Sequence, residues 1–351
     1  MKIRIITIHC IPNFGSVFQS YALCRYLKES GYNDVALIDY FPPYFRKAPL
    51  KSRIGQLLNY RAYKTRTNKF REFVKDNIPL TERTYYSADE LEELKNAADV
   101  FIAGGDQLWN VYHTCGNDDA YKLTFAEGKK ISYSTSLGQT DFTDSQLDEL
   151  ANKLKAFSAV SVREKSSVPL LKKKNISAVQ CADPVFLLDS GVYNRFCKPI
   201  NQPKYLLVYL VTPSELLERS VKFLSEKYGL KVILCSGFSK KCSCDLFLKD
   251  LGPDEILSYI KNAEIVLSSS FHATAFSVIF QRQFFCILPD AHTNERITDL
   301  LDTVQLAERI ITEKSDLETA LSQRIEYGNI KGLEENISAS KKYLKDSLEE
   351  V

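Results

Sequence analysis

The fold turns on residues 3–39, IRIITIHCIPNFGSVFQSYALCRYLKESGYNDVALID. Residues 3–9 are an apolar, largely β-branched run, the composition of a strand buried on both faces. A turn bearing Gly15 follows. From Val17 to Lys28 apolar residues recur at 17, 18, 21, 22, 23 and 27, a helical spacing that Gly31 ends. VALID at 35–39 is the next buried strand. Strand, helix, strand in this order predicts a parallel sheet, because a crossover helix returns the chain in the direction it came from.

The same pattern continues. ADVFIAGGDQLWN carries a strand at 99–103 into a Gly-Gly turn, and ISYSTSLG at 131–138 is another strand. A helix at 144–156 leads to the strand FSAVSV. A helix over 163–174 and a short strand near 178–181 then run into ADPVFLL. Residues 189–203 contain Gly, two Pro and no long apolar run, the composition of a linker. Beyond it strands at 205–211, 231–235, 263–268 and 284–288 alternate with helices at 214–228, 253–262, 271–281 and 294–303. Leu333, Ile337, Leu344 and Leu348 share one face of a last amphipathic helix. The expected α/β architecture is therefore two Rossmann-like domains facing a cleft. The N-terminal domain would span 1–190, the C-terminal one 204–330, and a closing helix 331–351.

One stretch breaks the pattern. Within a helical insertion expected over 41–98, residues 41–75 hold ten Lys or Arg and one Glu, a local excess of nine positive charges. Tyr44, Phe45, Tyr60, Tyr63, Phe70 and Phe73 are interleaved with them. The plain expectation is a solvated helical face. The functional one is a surface for an anionic acceptor or a phospholipid headgroup, with peripheral membrane contact through 41–75.

Composition narrows the classes. Of 351 residues, 44% are hydrophobic and the formal net charge is +2, which gives no global reason to expect nucleic acid binding. No apolar run reaches the ~18 residues of a membrane span. The opening MKIRIITIHC reads as a first strand and not as a signal peptide, so a cytoplasmic location is expected, with the inner face of the plasma membrane as the surface the basic stretch would meet. The nine cysteines are odd in number and form no CxxC pair. Cys242 and Cys244 read as loop thiols, and no metal site is expected.

Ligands of open α/β sheets bind beyond the carboxyl ends of the strands. Three such turns are polar. In Asn13-Phe14-Gly15-Ser16, the glycine permits the turn, Ser16 can cap the helix, and the backbone N–H groups of the helix start suit an anion. A plain capped turn is the alternative. In Gly104-Gly105-Asp106-Gln107, followed by Trp109-Asn110, the glycines would let the backbone approach a ligand, and Asp106 and Gln107 would serve hydroxyl groups. Trp109, the single tryptophan, is as well explained by packing. In Ser268-Ser269-Ser270-Phe271-His272 a buried strand runs into a serine cap with a histidine in the first helical turn, where it could donate a proton. A capped, hydrogen-bonded histidine is the alternative. His9 at the end of the first strand reads as structural. Arg163, in Ser-Val-Arg-Glu at 161–164, could hold a carboxylate or phosphate, or could pair with Glu164 or Asp183. Asn294 and Arg296 open a later helix and could also hold an anion. The motifs GxGxxG after a strand, GxxxxGK[ST], GxSxG and HExxH are all missing, which removes support for P-loop nucleotide hydrolases, serine hydrolases and zinc peptidases.

Taken in order, NFGSVFQSYAL (13–23), GGDQLWN (104–110), SVRE (161–164), ADPVFLL (182–188) and SSSFHATAFSVIF (268–280) resemble the polysaccharide pyruvyl transferase family. The resemblance spans about residues 11–303 and implies an architecture similar to the GT-B glycosyltransferases. It implies transfer of the enolpyruvyl or pyruvate group of phosphoenolpyruvate to a sugar or lipid-linked precursor, forming a pyruvate ketal, with phosphoenolpyruvate as co-substrate and no cofactor. By this resemblance His272 would be the general acid. The resemblance would also place Arg163 on the donor, and Ser270, Asn294, Arg296, Gly15 and Ser16 are the further donor-binding candidates read from the residues themselves. Asn13, Gln19, Asp106, Gln107 and Trp109, in or beside the polar turns, are the acceptor-binding candidates read in the same way. Some members carry Arg where this chain has Ser270, and others have Asp and Gly where it has Ser269 and Ala273, so Arg296 or Arg163 would have to supply the missing cation. A glycosyltransferase using a nucleotide sugar and a non-catalytic glycan-binding relative fit the same residues.

Overall fold

The computed structural model describes residues 1–46, 57–235, 237–288, 295–329 and 332–349. Its contacts divide the chain into two compact units. Unit 1 is Met1–Ala48, Arg71–Leu188 and Glu334–Val351, and unit 2 is Pro49–Phe70 and Asp189–Leu333.

In unit 1, β1 (Lys2–Ile6) lies between β2 (Asp34–Leu37) and β3 (Val100–Ala103), and β3 pairs with β4 (Lys129–Ser132), every pair parallel. Parallel bridges Ile131↔Ala159 and Thr135↔Val162 join β4 to β5 (Val160–Val162), which pairs with β6 (Ala178–Gln180). The order 2-1-3-4 places a topological switch between β1 and β3. Helix α1 (Phe14–Glu29) crosses from β1 to β2. The periodicity predicts one apolar face for it, yet every residue from Phe14 to Cys24 is buried. The turn Pro184–Leu187 packs against α1 and covers its polar side as well.

In unit 2 the order is β12-β11-β10-β7-β8-β9, built from β7 (Tyr205–Tyr209), β8 (Lys231–Cys235), β9 (Leu246–Phe247), β10 (Ile265–Ser268), β11 (Gln283–Ile287) and β12 (Ile310–Ile311), all parallel. The switch here lies between β7 and β10. The helices have well-formed ends. The Ser214 hydroxyl accepts from Leu217 N at 3.1 Å, and Gly229 closes the helix Glu215–Tyr228 with φ +61°. Pro253 opens the helix Pro253–Asn262, and Glu255 reaches back to accept from Gly252 N at 2.7 Å.

The division differs from the expected domain bounds in two places. The described residues 57–70 of the basic stretch group with unit 2 and not with the N-terminal domain. The division falls inside one continuous helix, α3 (Tyr60–Asn77), which follows the short α2 (Pro43–Arg46). The closing helix Leu333–Glu349 is no separate element either, because its residues from Glu334 onward belong to unit 1. Ala182 N donates to Ser340 Oγ at 2.8 Å, the Tyr343 hydroxyl to Ser132 O at 2.9 Å, and Asn336 Nδ2 to Gln180 Oε1 at 2.7 Å. Polar groups set these contacts, so the leucine spacing did not reveal them.

Candidate active site

At the unit 1 switch, α1 starts beside the Gly-Gly turn that follows β3. Asn13, not Ser16, caps the helix, and its Oδ1 accepts from Gly15 N (3.0 Å) and Ser16 N (3.3 Å). The Ser16 hydroxyl donates instead to Asp106 Oδ2 at 2.5 Å. Asp106 is held at φ +90°, a left-handed conformation that costs a non-glycine residue roughly 1–3 kcal/mol. Its other oxygen accepts from Gln107 N at 2.8 Å. The positive end of α1 is thus met by the protein's own carboxylate. This corrects the donor-binding expectation for Gly15 and Ser16, since both N–H groups and the hydroxyl are already engaged internally.

The glycines have a packing reason. A Cβ on Gly105 would lie 2.9 Å from the Pro184 ring and 3.0 Å from Gln19 Oε1, and one on Gly104 would lie 3.2 Å from Thr7 Cβ. They allow α1 and the Pro184 turn to close on β3, which replaces the expected backbone approach to a ligand. Gln19 is fully buried, and its amide donates to Thr7 Oγ1, Ser20 Oγ and Ser16 O, each at 2.9 Å. Trp109 is 0% exposed, donates Nε1 to Tyr121 O at 3.1 Å and meets Phe157 edge-on. Gln19 and Trp109 therefore belong to the core, against the acceptor-binding expectation. Of that group Asn13 is exposed and Gln107 partly so, the latter accepting from Asn110 Nδ2 at 2.7 Å.

Arg163 is 4% exposed, and its guanidinium lies 2.6 Å from Asp183 Oδ2. Asp183 Oδ1 accepts from Val185 N at 2.9 Å, which caps the Pro184 turn. Glu164, also buried, accepts from Ser136 Oγ at 2.5 Å and from Leu137 N at 3.2 Å. Ser161 exchanges hydrogen bonds with Ser132 and Ser134. The Ser-Val-Arg-Glu and Ala-Asp-Pro elements thus form one buried polar lattice. The Arg163–Asp183 pair weighed from the sequence is present, as an internal bridge and not a surface one.

Sequence reasoning passed over a second unit 1 group. His9 Nε2 lies 3.0 Å from Asp39 Oδ1, and His9 Nδ1 lies 3.1 Å from Thr7 O. Both partners are hydrogen-bond acceptors. Thr84 Oγ1 donates to Asp39 Oδ2 at 2.5 Å. Burial would raise the Asp39 carboxyl, yet hydrogen bonds from His9 and Thr84 and the histidine's charge hold it below the ordinary carboxylate range. The available signal was an aspartate ending the buried strand VALID.

At the unit 2 switch, the ends of β7 and β10 are tied by serines. Ser268 Oγ donates to Tyr209 O at 2.6 Å and Ser269 Oγ to Leu210 O at 2.5 Å. Leu210 adopts φ +43°. Ser270 caps the helix Phe271–Ile279, its Oγ accepting from Ala273 N at 3.4 Å. His272 sits in the first turn, 7% exposed, edge-on to Phe271 at 5.0 Å. The Arg296 guanidinium lies 5.9 Å from the Phe271 ring centre, so the structure brings Arg296 into this neighbourhood. Asn294 lies outside the described residues. Arg66 of α3 is a residue the sequence reading did not single out. Burial pushes the Tyr209 phenol up and the Cys235 thiol to about 12, and the Arg66 charge pulls against both. It therefore acts on the carboxyl ends of β7 and β8. Among the described residues no group of three His, Cys, Asp or Glu is placed to hold a metal ion.

Two Rossmann-like α/β units, each with polar residues at its switch point, define a GT-B-like protein. Solved structures agree on the fold. A UDP-GlcNAc 2-epimerase from Methanocaldococcus jannaschii is 15% identical over 98% of this chain and 99% of its own, with a TM-score of 0.60. The Neisseria meningitidis UDP-GlcNAc 2-epimerase bound to UDP-GlcNAc is 11% identical over 100% of both chains, with a TM-score of 0.56. At these identities the likeness is one of fold alone. A search of curated protein sequences finds no match. The sequence profile of the polysaccharide pyruvyl transferase family matches residues 13–290, so the chain belongs to that family and is a transferase.

Proposed function

We propose that this protein transfers the pyruvate group of phosphoenolpyruvate to hydroxyls of a sugar in a polysaccharide or lipid-linked precursor, forming a pyruvate ketal. The observation that carries the reading, beyond family membership, is His272 in the first helical turn at the β7/β10 switch, with Arg296 beside its neighbour Phe271. In this scheme the His272 imidazolium protonates the methylene carbon of the donor, and the adjacent carbon becomes oxocarbenium-like. A sugar hydroxyl adds there and gives up its proton, which restores the acid. The carbon–oxygen bond to phosphate breaks, and a second hydroxyl adds to close the ketal, releasing its own proton. Arg296 is assigned to the donor's anionic groups and Ser270 to the cap that fixes the histidine. Arg163 is assigned to positioning, because its partner is Asp183. Asn13 and Gln107 remain the proposed contacts for an acceptor sugar, and Asp106 leaves that set because it is buried and both its oxygens are engaged. The reading needs no cofactor besides the phosphoenolpyruvate co-substrate. Nine free cysteines support a reducing, cytoplasmic setting for it.

One observation favours a second reading. The Methanocaldococcus jannaschii epimerase was also solved with UDP-GlcNAc and UDP, at 16% identity over 98% of this chain and 99% of its own, with a TM-score of 0.55. A nucleotide sugar as donor is the corresponding alternative. Melting curves with each donor separate the two, since a ligand bound only by the native state stabilises it. Phosphoenolpyruvate should raise the melting temperature of wild type and not of Arg296→Ala. His272→Ala should fold normally, bind the donor and lose about 10²–10⁴-fold in turnover. A shift from UDP-GlcNAc alone would transfer the assignment to the alternative. Full turnover by His272→Ala would remove the histidine from the mechanism.

A further inference from the structure

The basic stretch carries an observation that the transferase chemistry does not use. Leu57, Leu58 and Tyr60 are 75%, 79% and 57% exposed, and two of the three are adjacent in sequence. Three large apolar side chains exposed within residues 57–60 point to a contact surface. They stand at the start of α3, and Arg61 and Lys64 follow on its exposed side. Residues 57–69 contain Arg61, Lys64, Arg66 and Lys69 and no carboxylate. Lys69 is held by Glu255 at 2.7 Å and Arg66 is partly buried, whereas Arg61 and Lys64 form no ion pair among the described residues. The backbone beneath is anchored to unit 2, with Lys249 Nζ donating to Asn59 Oδ1 at 3.0 Å and Tyr63 edge-on to Phe238 at 6.1 Å. The surface is therefore presented by a fixed helix.

We infer that this surface docks the protein on an anionic lipid bilayer. Arg61 and Lys64 meet the headgroups, and Leu57, Leu58 and Tyr60 enter the boundary between headgroups and acyl chains. The pairing of features selects this occupant. A soluble polyanion, whether glycan or nucleic acid, would be served by the cations and would gain nothing from two exposed leucines. A second copy of the chain meeting this surface about a two-fold axis would bring like charges together. Among the described residues no helix is long and apolar enough to cross a membrane, so this docking is peripheral. It stands independently of the donor chemistry.

The test uses the full chain in vesicle sedimentation, comparing pure phosphatidylcholine with phosphatidylcholine containing about a third phosphatidylglycerol at about 0.1 M salt. Wild type should partition at least tenfold more strongly onto the anionic vesicles. Leu57→Ser/Leu58→Ser and Arg61→Glu/Lys64→Glu should each lose at least about tenfold of that binding, since each neutralised cation near such a surface is worth about fivefold. Both variants should keep the wild-type melting temperature and turnover of a water-soluble acceptor, because the substituted side chains are exposed. Equal partition of wild type onto both vesicles would overturn the inference. So would a leucine variant that binds like wild type while the charge variant does not, which would mark a polyanion site. A leucine variant that instead changes the oligomeric state in solution would mark a self-association face and would also overturn it.

Discussion

The β1/β3 switch of unit 1 and the β7/β10 switch of unit 2 hold similar-looking motifs, a strand, a small polar turn and a capped helix. Physically they differ. In unit 1 the helix start faces a carboxylate of the same chain through Ser16 and Asp106, and the cap, the glycines and Gln19 are consumed by packing. In unit 2 the serines tie two strand ends together and cap the helix, and an imidazole is placed in its first turn with an arginine nearby. The comparison shows that a set of polar residues in a motif can be a lattice that holds strands and helices in register, or can present a reactive group. Chemistry at the residue level is needed to tell which.

The most severe test of the lattice is Arg163. Its side chain is 3% exposed and that of Asp183 is 0% exposed. Removing one partner of a buried pair strands the other charge, so Arg163→Ala should cost about 3–5 kcal/mol in urea unfolding, and Arg163→Met/Asp183→Asn, which keeps an oxygen for the Val185 N–H, should recover most of it. An Arg163→Ala protein of wild-type stability that no longer responds to phosphoenolpyruvate would break the distinction and return this arginine to ligand binding.

Gly105→Ala is the next largest effect. The new methyl must displace Pro184 or the Gln19 amide, and a loss of about 1–3 kcal/mol is expected by thermal denaturation. Unchanged stability would mean that the turn has room and that its glycines serve something other than packing.

The smallest effect concerns Asp39. A carboxyl held below its ordinary value contributes stability that is fully present above the unfolded value near 3.9 and is lost as pH falls through the lower folded value. Asp39→Asn should therefore be less stable than wild type at neutral pH, and the gap should close in acid, below about pH 4. A gap that stays constant across the acid range would show that the carboxylate charge has no part in holding His9.

Much of the fold was legible because hydrophobic period and length suffice for parallel α/β units. The strand at 231–235 and the helix at 253–262 fall where the apolar spacing put them. His272 was legible as a first-turn histidine after a buried strand. Asp39 was not, since nothing local marks an aspartate that accepts from a histidine 30 positions earlier in the chain. Arg66 was hidden for the same reason, being one cation among ten in its stretch.

By itself the sequence determined the alternation of strands and helices, the polar turns at strand ends, the family and the basic character of 41–75. These depend on neighbours within a turn or two of chain, or on motif order, and both survive without coordinates. The tertiary structure decided which polar residues are spent on the protein itself. It paired Arg163 with Asp183, set Asp106 against Ser16, buried Trp109, returned the last helix to unit 1 and assigned residues 57–70 to unit 2. Those outcomes hinge on hydrogen bonds and desolvation between residues far apart in sequence. A buried charge must find a partner wherever the fold supplies one, and only the folded chain brings that partner near.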